Sequence, residues 1–221
     1  MVAFERFENI SLNDLQGFIE GREKVTSAIL SSVIHTPREI IDWLQQNYFF
    51  IHFDQHTPIP LQNRYGTPDT LGRDRLAAAI GAAAQFPGKP VLSIDTGTAI
   101  KFDFVDADGN YRGGSIAPGL WLRFRALHTF TDKLPLVGYS DEHPLVGDST
   151  QSSILSGVMN GAIAEVNGMI EAYKKRFPGL KIVLTGGESI YFEKSIKSNI
   201  FADSKLVIKG LNEILRFNEE N

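Results

Sequence analysis

The hydrophobic positions along this chain fall into short runs that alternate between a period of two and a period near 3.6. Val2 to Phe7 alternates apolar and polar residues and predicts a strand, with Val2 and Phe4, or Ala3 and Phe7, as inward faces. Ser11 can cap a helix through Gly21, with Asp14 at its third position and Leu12, Leu15, Phe18 and Ile19 as its apolar stripe. The run of small and branched residues from Val25 to Ile34 predicts a buried strand. Thr36-Pro37-Arg38-Glu39 combines a cap, a first-turn proline and a capping-box carboxylate. Ile40, Ile41, Trp43 and Leu44 give the helix it opens a core face, and a third strand is predicted over Tyr48 to Phe53.

A loop with three prolines, Gln55 to Pro68, leads into Asp69-Thr70-Leu71-Gly72-Arg73-Asp74-Arg75 and then an Ala-rich helix. The break Phe86-Pro87-Gly88-Lys89-Pro90 ends this first unit. Three strands follow, at about 91–96, 99–105 and 110–116, with Asp106-Ala107-Asp108-Gly109-Asn110 as the second turn. A helix is predicted around 120–130 and a long one from about 149 to 176. The small residues of the long helix, among them Ser153, Gly157, Gly161 and Ala164, predict close contact with another helix or subunit. A strand at 181–185, a helix through Lys197, a strand at 205–208 and a helix from Leu211 complete the pattern. Strands alternating with helices in both halves place the chain in the α/β class, as residues 1–88 and 89–221.

Composition narrows the classes. With 221 residues, 43% hydrophobic and 22% charged, the chain has the balance of an ordinary globular protein. A net charge of −4 argues against a dedicated nucleic-acid binder, which carries a basic face. There are no cysteines, which excludes disulfides, thiolate nucleophiles and Cys-ligated zinc. The charged N-terminus is not a secretory signal and no apolar run suffices for a membrane span, so a cytoplasmic protein with no membrane partner is expected.

Candidate chemistry concentrates in two places. Asp95-Thr96-Gly97-Thr98 puts a carboxylate, two hydroxyls and a flexible backbone at the tip of a buried strand, where phosphate oxygens and a cation can be held together. In the segment Gly72–Arg75, Gly72 would admit a ligand near the backbone while Asp74 and Arg75 handle a hydroxyl and a carboxylate. Dipole capping by Asp69 and Asp74 with solvated arginines explains the same residues equally simply. His52 and His56 fall on a strand and its exit loop, where that spacing does not converge on one ion. Glu188, after Gly186-Gly187, fits either an approach to a nucleotide or a surface cap.

A doubled unit with acidic Gly/Thr turns after its strands resembles the acetate and sugar kinase/Hsc70/actin superfamily. The resemblance tightens over five segments in order. These are Tyr65 and Pro68 with Leu71–Arg75, then Ile94–Ala99, Gly113–Gly119, Leu134-Pro135 and Leu184–Gly187. Together they resemble type III pantothenate kinase, a family also labelled Bvg accessory factor. The resemblance implies two ribonuclease H-like subdomains with a cleft between them, and phosphorylation of pantothenate by ATP, the first step of coenzyme A biosynthesis. It implies Asp74 as catalytic proton acceptor, with Tyr65, Gly72, Arg73, Asp74, Arg75 and Thr150 binding substrate. Gly97 and Thr98 would contact ATP, and Asp95 would sit at a monovalent cation, potassium or ammonium. Mg2+ and a homodimer are implied as well. The other readings are a non-catalytic regulatory protein of the Bvg accessory factor type and another small-molecule kinase of the superfamily.

One departure matters. The family opens with an apolar strand ending in an Asp-x-Gly-Asn-Thr turn that contacts ATP phosphates, and nothing similar precedes Phe4. The first subdomain is therefore expected to be N-terminally incomplete, with an unpaired sheet edge, and the chain to bind ATP poorly and turn over slowly if at all.

Overall fold

The computed structural model describes every residue except Met1, Val2, Glu23, Lys24 and Val33. Helix α1 (Leu12–Ile19) starts with the reciprocal cap the sequence predicts: the Asp14 amide donates to Ser11 Oγ at 3.2 Å, and the Ser11 amide donates to the Asp14 carboxylate at 2.9 Å. Strand β1 (Ser27–Leu30) pairs in parallel with β2 (Phe49–His52), and α2 (Arg38–Asn47) connects them. Among the described residues no other strand joins this small sheet.

A second, six-stranded sheet carries the rest of the chain in the order β3-β6-β5-β4-β7-β8. Its members are β3 (Gln62–Asn63), β4 (Val91–Thr96), β5 (Ala99–Val105), β6 (Asn110–Pro118), β7 (Lys181–Thr185) and β8 (Phe201–Ala202). β4, β5 and β6 form an antiparallel meander, while β7 runs parallel to β4 and β8 parallel to β7. The fold is thus a mixed α/β sheet.

Helices cover both faces of the sheet. On one side Leu92, Ile94, Ile100, Phe102 and Phe104 pack against α4 (Leu120–Thr129) and a long helix of three parts. Those parts are α5 (Thr150–Leu155), a wider π turn over Ser156–Asn160, and α6 (Gly161–Arg176). On the other side lie α3 (Arg73–Gln85) and the C-terminal helix α8 (Leu206–Glu219), with Leu76, Ile80, Tyr111 and Ile214 in one cluster. These two helices approach backbone to backbone. A Cβ on Gly210 would fall 1.8 Å from the Ala77 carbonyl oxygen, and one on Gly81 would fall 2.5 Å from that of Leu206. No helix among the described residues is long and apolar enough to cross a membrane.

Several local expectations need correction. Residues 3–7 form no strand, and Val2 lies outside the described residues. The strand expected over 25–34 is confined to Ser27–Leu30, with Val33 outside the described residues. Pro37, not Thr36, sits at the N-cap of α2 and makes no side-chain cap bond. Its extended ψ of 133° delays the helix by one residue and leaves Thr36 outside it. The helix expected through Lys197 is only α7 (Ile190–Glu193). The strand expected at 205–208 is the first turn of α8, and the last strand lies earlier, at Phe201–Ala202. Leu206, Gly210 and Ile214 recur four apart and are buried, so packing on α3 overrides the β-branched pair Val207-Ile208.

Candidate functional site

The β4–β5 hairpin turns through Gly97-Thr98 and places Asp95 directly opposite Lys101 on one face of the sheet. The same face receives the N-terminus of α3, whose second residue is Asp74. Lys101 Nζ lies 2.7 Å from Asp95 Oδ2 and 2.7 Å from Asp74 Oδ2, so one ammonium bridges two carboxylates. Burial pulls the Lys101 pKa down, but the hydrogen bonds and charges of Asp74 and Asp95 outweigh it and hold it above its ordinary value. Burial likewise pushes the Asp74 carboxyl up, and Lys101 reverses this to a net lowering. Asp74 therefore stands ionised at neutral pH, and its half-exposed side chain faces solvent.

Gly72 is the N-cap of α3 and offers no side-chain cap. A Cβ there would lie 2.7 Å from Asp74 Oδ1, so glycine makes room for this carboxylate. Arg73 Nη2 donates to Gln55 Oε1 at 2.9 Å. Arg75 turns inward instead. Its Nη2 and Nε donate to Asp103 Oδ1 at 2.7 and 3.0 Å, and Tyr111 Oη donates to the same oxygen at 2.7 Å. Burial alone lowers the guanidinium pKa, but the Asp103 carboxylate more than compensates and the net shift is upward. The Arg75 guanidinium lies 5.6 Å from the Tyr65 ring centroid. Tyr65 in turn covers Gly113, where a Cβ would fall 2.8 Å from the tyrosine ring. Gly113 has φ +89° beside the β5–β6 register shift, so it needs glycine for its backbone as well.

Three chain turns converge at the end of β4. Thr98, exposed at the hairpin tip, accepts the Gly119 amide on its carbonyl at 3.0 Å. A side chain on Gly119 would fall 2.1 Å from the Gly97 carbonyl oxygen. Gly186, with φ +102°, sits against the Thr96 backbone at a distance no Cβ could share. The result is an all-backbone rim around the hairpin tip.

The family model of type III pantothenate kinase matches residues 8–172. A type III pantothenate kinase of Bacteroides fragilis is 44% identical over 99% of this chain and 90% of its own length. One of Christiangramia forsetii is 42% identical over 98% of this chain and 86% of its own length.

The chain belongs to the type III pantothenate kinase family.

A crystal structure of a conserved putative Baf family transcriptional activator from Campylobacter jejuni shares the fold, with a TM-score of 0.61 at 19% identity. It covers 94% of this chain and 89% of that chain.

Within this family member, the structure joins Asp74 and Asp95 through Lys101, and Tyr65 to Arg75. Thr150 stands elsewhere, at the first turn of α5, where it lines a surface pocket with Leu127, Leu134 and Ser153. Lys101, which joins two of the candidate residues, is absent from the motifs. Hairpin register could have found it, because a turn whose three residues 97–99 lie between the paired Thr96 and Ile100 puts position 101 opposite 95. Glu188 resolves as a buried cap. Its Oε2 accepts the Leu120 amide at 2.9 Å and its Oε1 accepts the Trp121 amide at 3.2 Å and the Tyr139 hydroxyl at 2.7 Å. The N-terminus of α4, a natural anion site, is thereby filled by the chain's own carboxylate.

Proposed function

We propose that this protein transfers the terminal phosphoryl group of ATP to the primary hydroxyl of pantothenate, the first step of coenzyme A biosynthesis. The observation that carries the reading is the Asp74–Lys101–Asp95 cluster beside the β4–β5 turn, in a chain of this family. Asp74 takes the hydroxyl proton as the new O–P bond forms and the bond from phosphorus to the ADP oxygen breaks. A carboxylate of low pKa suffices, because the loose transition state is governed by positioning and charge. Gly97 and Thr98, on the backbone rim, are assigned to ATP phosphate. Gly72, Arg73 and Tyr65 are assigned to pantothenate, with Arg75 fixing the segment from behind through Asp103.

Among the described residues no group of three or more metal-ligating side chains exists. Mg2+, assigned as the nucleotide's partner ion, takes its ligands chiefly from phosphates and water and would neutralise charge on the transferring group. We assign the small β1–β2 sheet and the six-stranded sheet to the two ribonuclease H-like subdomains of the actin-type kinases; the boundary expected at residue 88 does not hold, because β3 and α3 belong to the second sheet. A second copy is assigned to the long helix, where Gly157 and Gly161 have open space beside them and Thr150 stands at the head.

The test is direct. Purified protein with ATP, Mg2+ and pantothenate should release ADP and yield 4'-phosphopantothenate by mass spectrometry. Asp74→Asn should abolish both while leaving the fold intact by circular dichroism. Phosphorylation of another hydroxylated acid in place of pantothenate would overturn the substrate assignment.

A further inference from the structure

The carboxylate expected to hold a monovalent cation is already neutralised by the chain. Asp95 Oδ2 and Asp74 Oδ2 each lie 2.7 Å from Lys101 Nζ, and the ammonium is four-fifths shielded from solvent. Its alkyl stem rises from the third residue of β5, between strands β4 and β6, so the charge is anchored by a paired sheet. Two carboxylates that converge at the end of a sheet repel each other unless a positive charge lies between them. Phosphoryl transfer brings further negative charge to this place. A bound potassium or ammonium ion can supply the compensating charge, and so can a lysine, whose head group has the charge and bonding of ammonium itself. The lysine is held by its covalent stem and loses no translational freedom on arrival. A free ion cannot take the same position, because the tetrahedral head group already sits within contact distance of both acceptors.

We propose that the Lys101 ammonium is a built-in monovalent cation bridging the proton acceptor Asp74 to Asp95, so that this protein needs no added potassium or ammonium ion. The proposal rests on the pantothenate kinase reading for its kinetic consequence, but not for its binding consequence. The Asp95 carboxylate serves as the lysine's second anchor and holds the ammonium in register with Asp74. Lys101 acts on the reaction through Asp74 and is a positioning residue.

Two measurements test this. In the first, phosphopantothenate formation is followed in choline chloride and in matched KCl or NH4Cl. The wild-type rate should be the same in all three salts. Lys101→Ala should lose about 10²-fold in kcat in choline chloride, as for removal of one preorganised charge, and regain part of it in KCl or NH4Cl. Lys101→Met keeps the stem in place and should show no rescue. Severalfold stimulation of the wild type by potassium or ammonium overturns the proposal, as does a Lys101→Ala enzyme as fast as wild type in choline chloride.

The second measurement needs no turnover. Thallium(I) NMR on the protein alone should show no ion bound to the wild type and one bound to Lys101→Ala, displaced by potassium. A thallium ion bound to the wild type and released by potassium overturns the proposal. Absence of phosphopantothenate in every salt would count against the substrate reading, and the thallium result would still decide the role of Lys101.

Discussion

Arg75 and Asp103 form a two-pronged ion pair in the interior, with Nη2 to Oδ1 at 2.7 Å and Nε to Oδ2 at 3.3 Å. Their side chains are only 7% and 2% exposed, so neither charge has water to fall back on. The pair ties the first turn of α3 to the middle of β5, and so fixes where Asp74 stands relative to Lys101. Arg75→Met should therefore lower stability by about 3–5 kcal/mol, the range for a buried charge left without its partner. Urea unfolding of the variant checks this. A loss below about 1 kcal/mol would mean the pair is dispensable.

The Asp74–Lys101 contact has a pH signature. Asp74 is lowered in the folded state, so its contribution to stability is present above the unfolded carboxyl pKa of about 3.9 and is lost as pH falls through the folded value. Lys101 is raised, so its contribution is present below about 10.4 and is lost as pH rises through the folded value. For catalysis, the wild-type acid limb assigned to Asp74 should lie below the ordinary carboxylate range. In Lys101→Met burial is opposed only by backbone hydrogen bonds, and the limb of the residual kcat/KM should move to higher pH. Coincident pH profiles for the two proteins would refute the coupling.

Glu188 closes the N-terminus of α4 with both carboxylate oxygens. Glu188→Ala should cost about 1–2 kcal/mol, as for loss of a helix N-cap, read as a lowered melting temperature. Glu188→Gln keeps an acceptor and should cost less. Because the side chain is engaged with Leu120, Trp121 and Tyr139, the glutamine variant should leave KM for ATP unchanged.

Gly210→Ala tests the contact between α3 and α8. Its new methyl would meet the Ala77 carbonyl at a distance no pair of atoms tolerates, so the helices must separate. The expected loss is about 1–3 kcal/mol, the cost of overpacking, measured by chemical denaturation. Gly168→Ala, on the open side of α6, should cost nothing or stabilise slightly.

The meander was legible because its turns carry their own chemistry. Gly97 and Asp106–Asn110 mark the bends, and in the strand between them Ile100, Phe102 and Phe104 alternate with Lys101 and Asp103. The onset of α8 was not legible, since Val207 and Ile208 favour a strand locally and only the glycine contact with α3 favours the helix. The buried triad of Arg75, Asp103 and Tyr111 was equally hidden. A lone Asp between Phe102 and Phe104 signals a satisfied polar group in an apolar strand, but its arginine lies 28 residues away in sequence. Candidate site residues on turns could be named from motifs, whereas the lysine joining them required the pairing register of two strands.

The π turn at Ser156–Asn160 makes the long helix a matter of counting. A π turn holds one residue more than an α turn, so the segments on either side are out of phase with a single helical repeat. Deleting one residue there would close the turn as regular α-helix and leave the two flanking segments nearly in their present rotation, because the wider turn already takes up the extra residue. Deleting one residue within α6 instead would rotate everything before it by about 100° and swing Thr150 to another side of the rod. The direction in which Thr150 points is therefore tolerant of chain length at Ser156–Asn160 and sensitive to it elsewhere in the long helix.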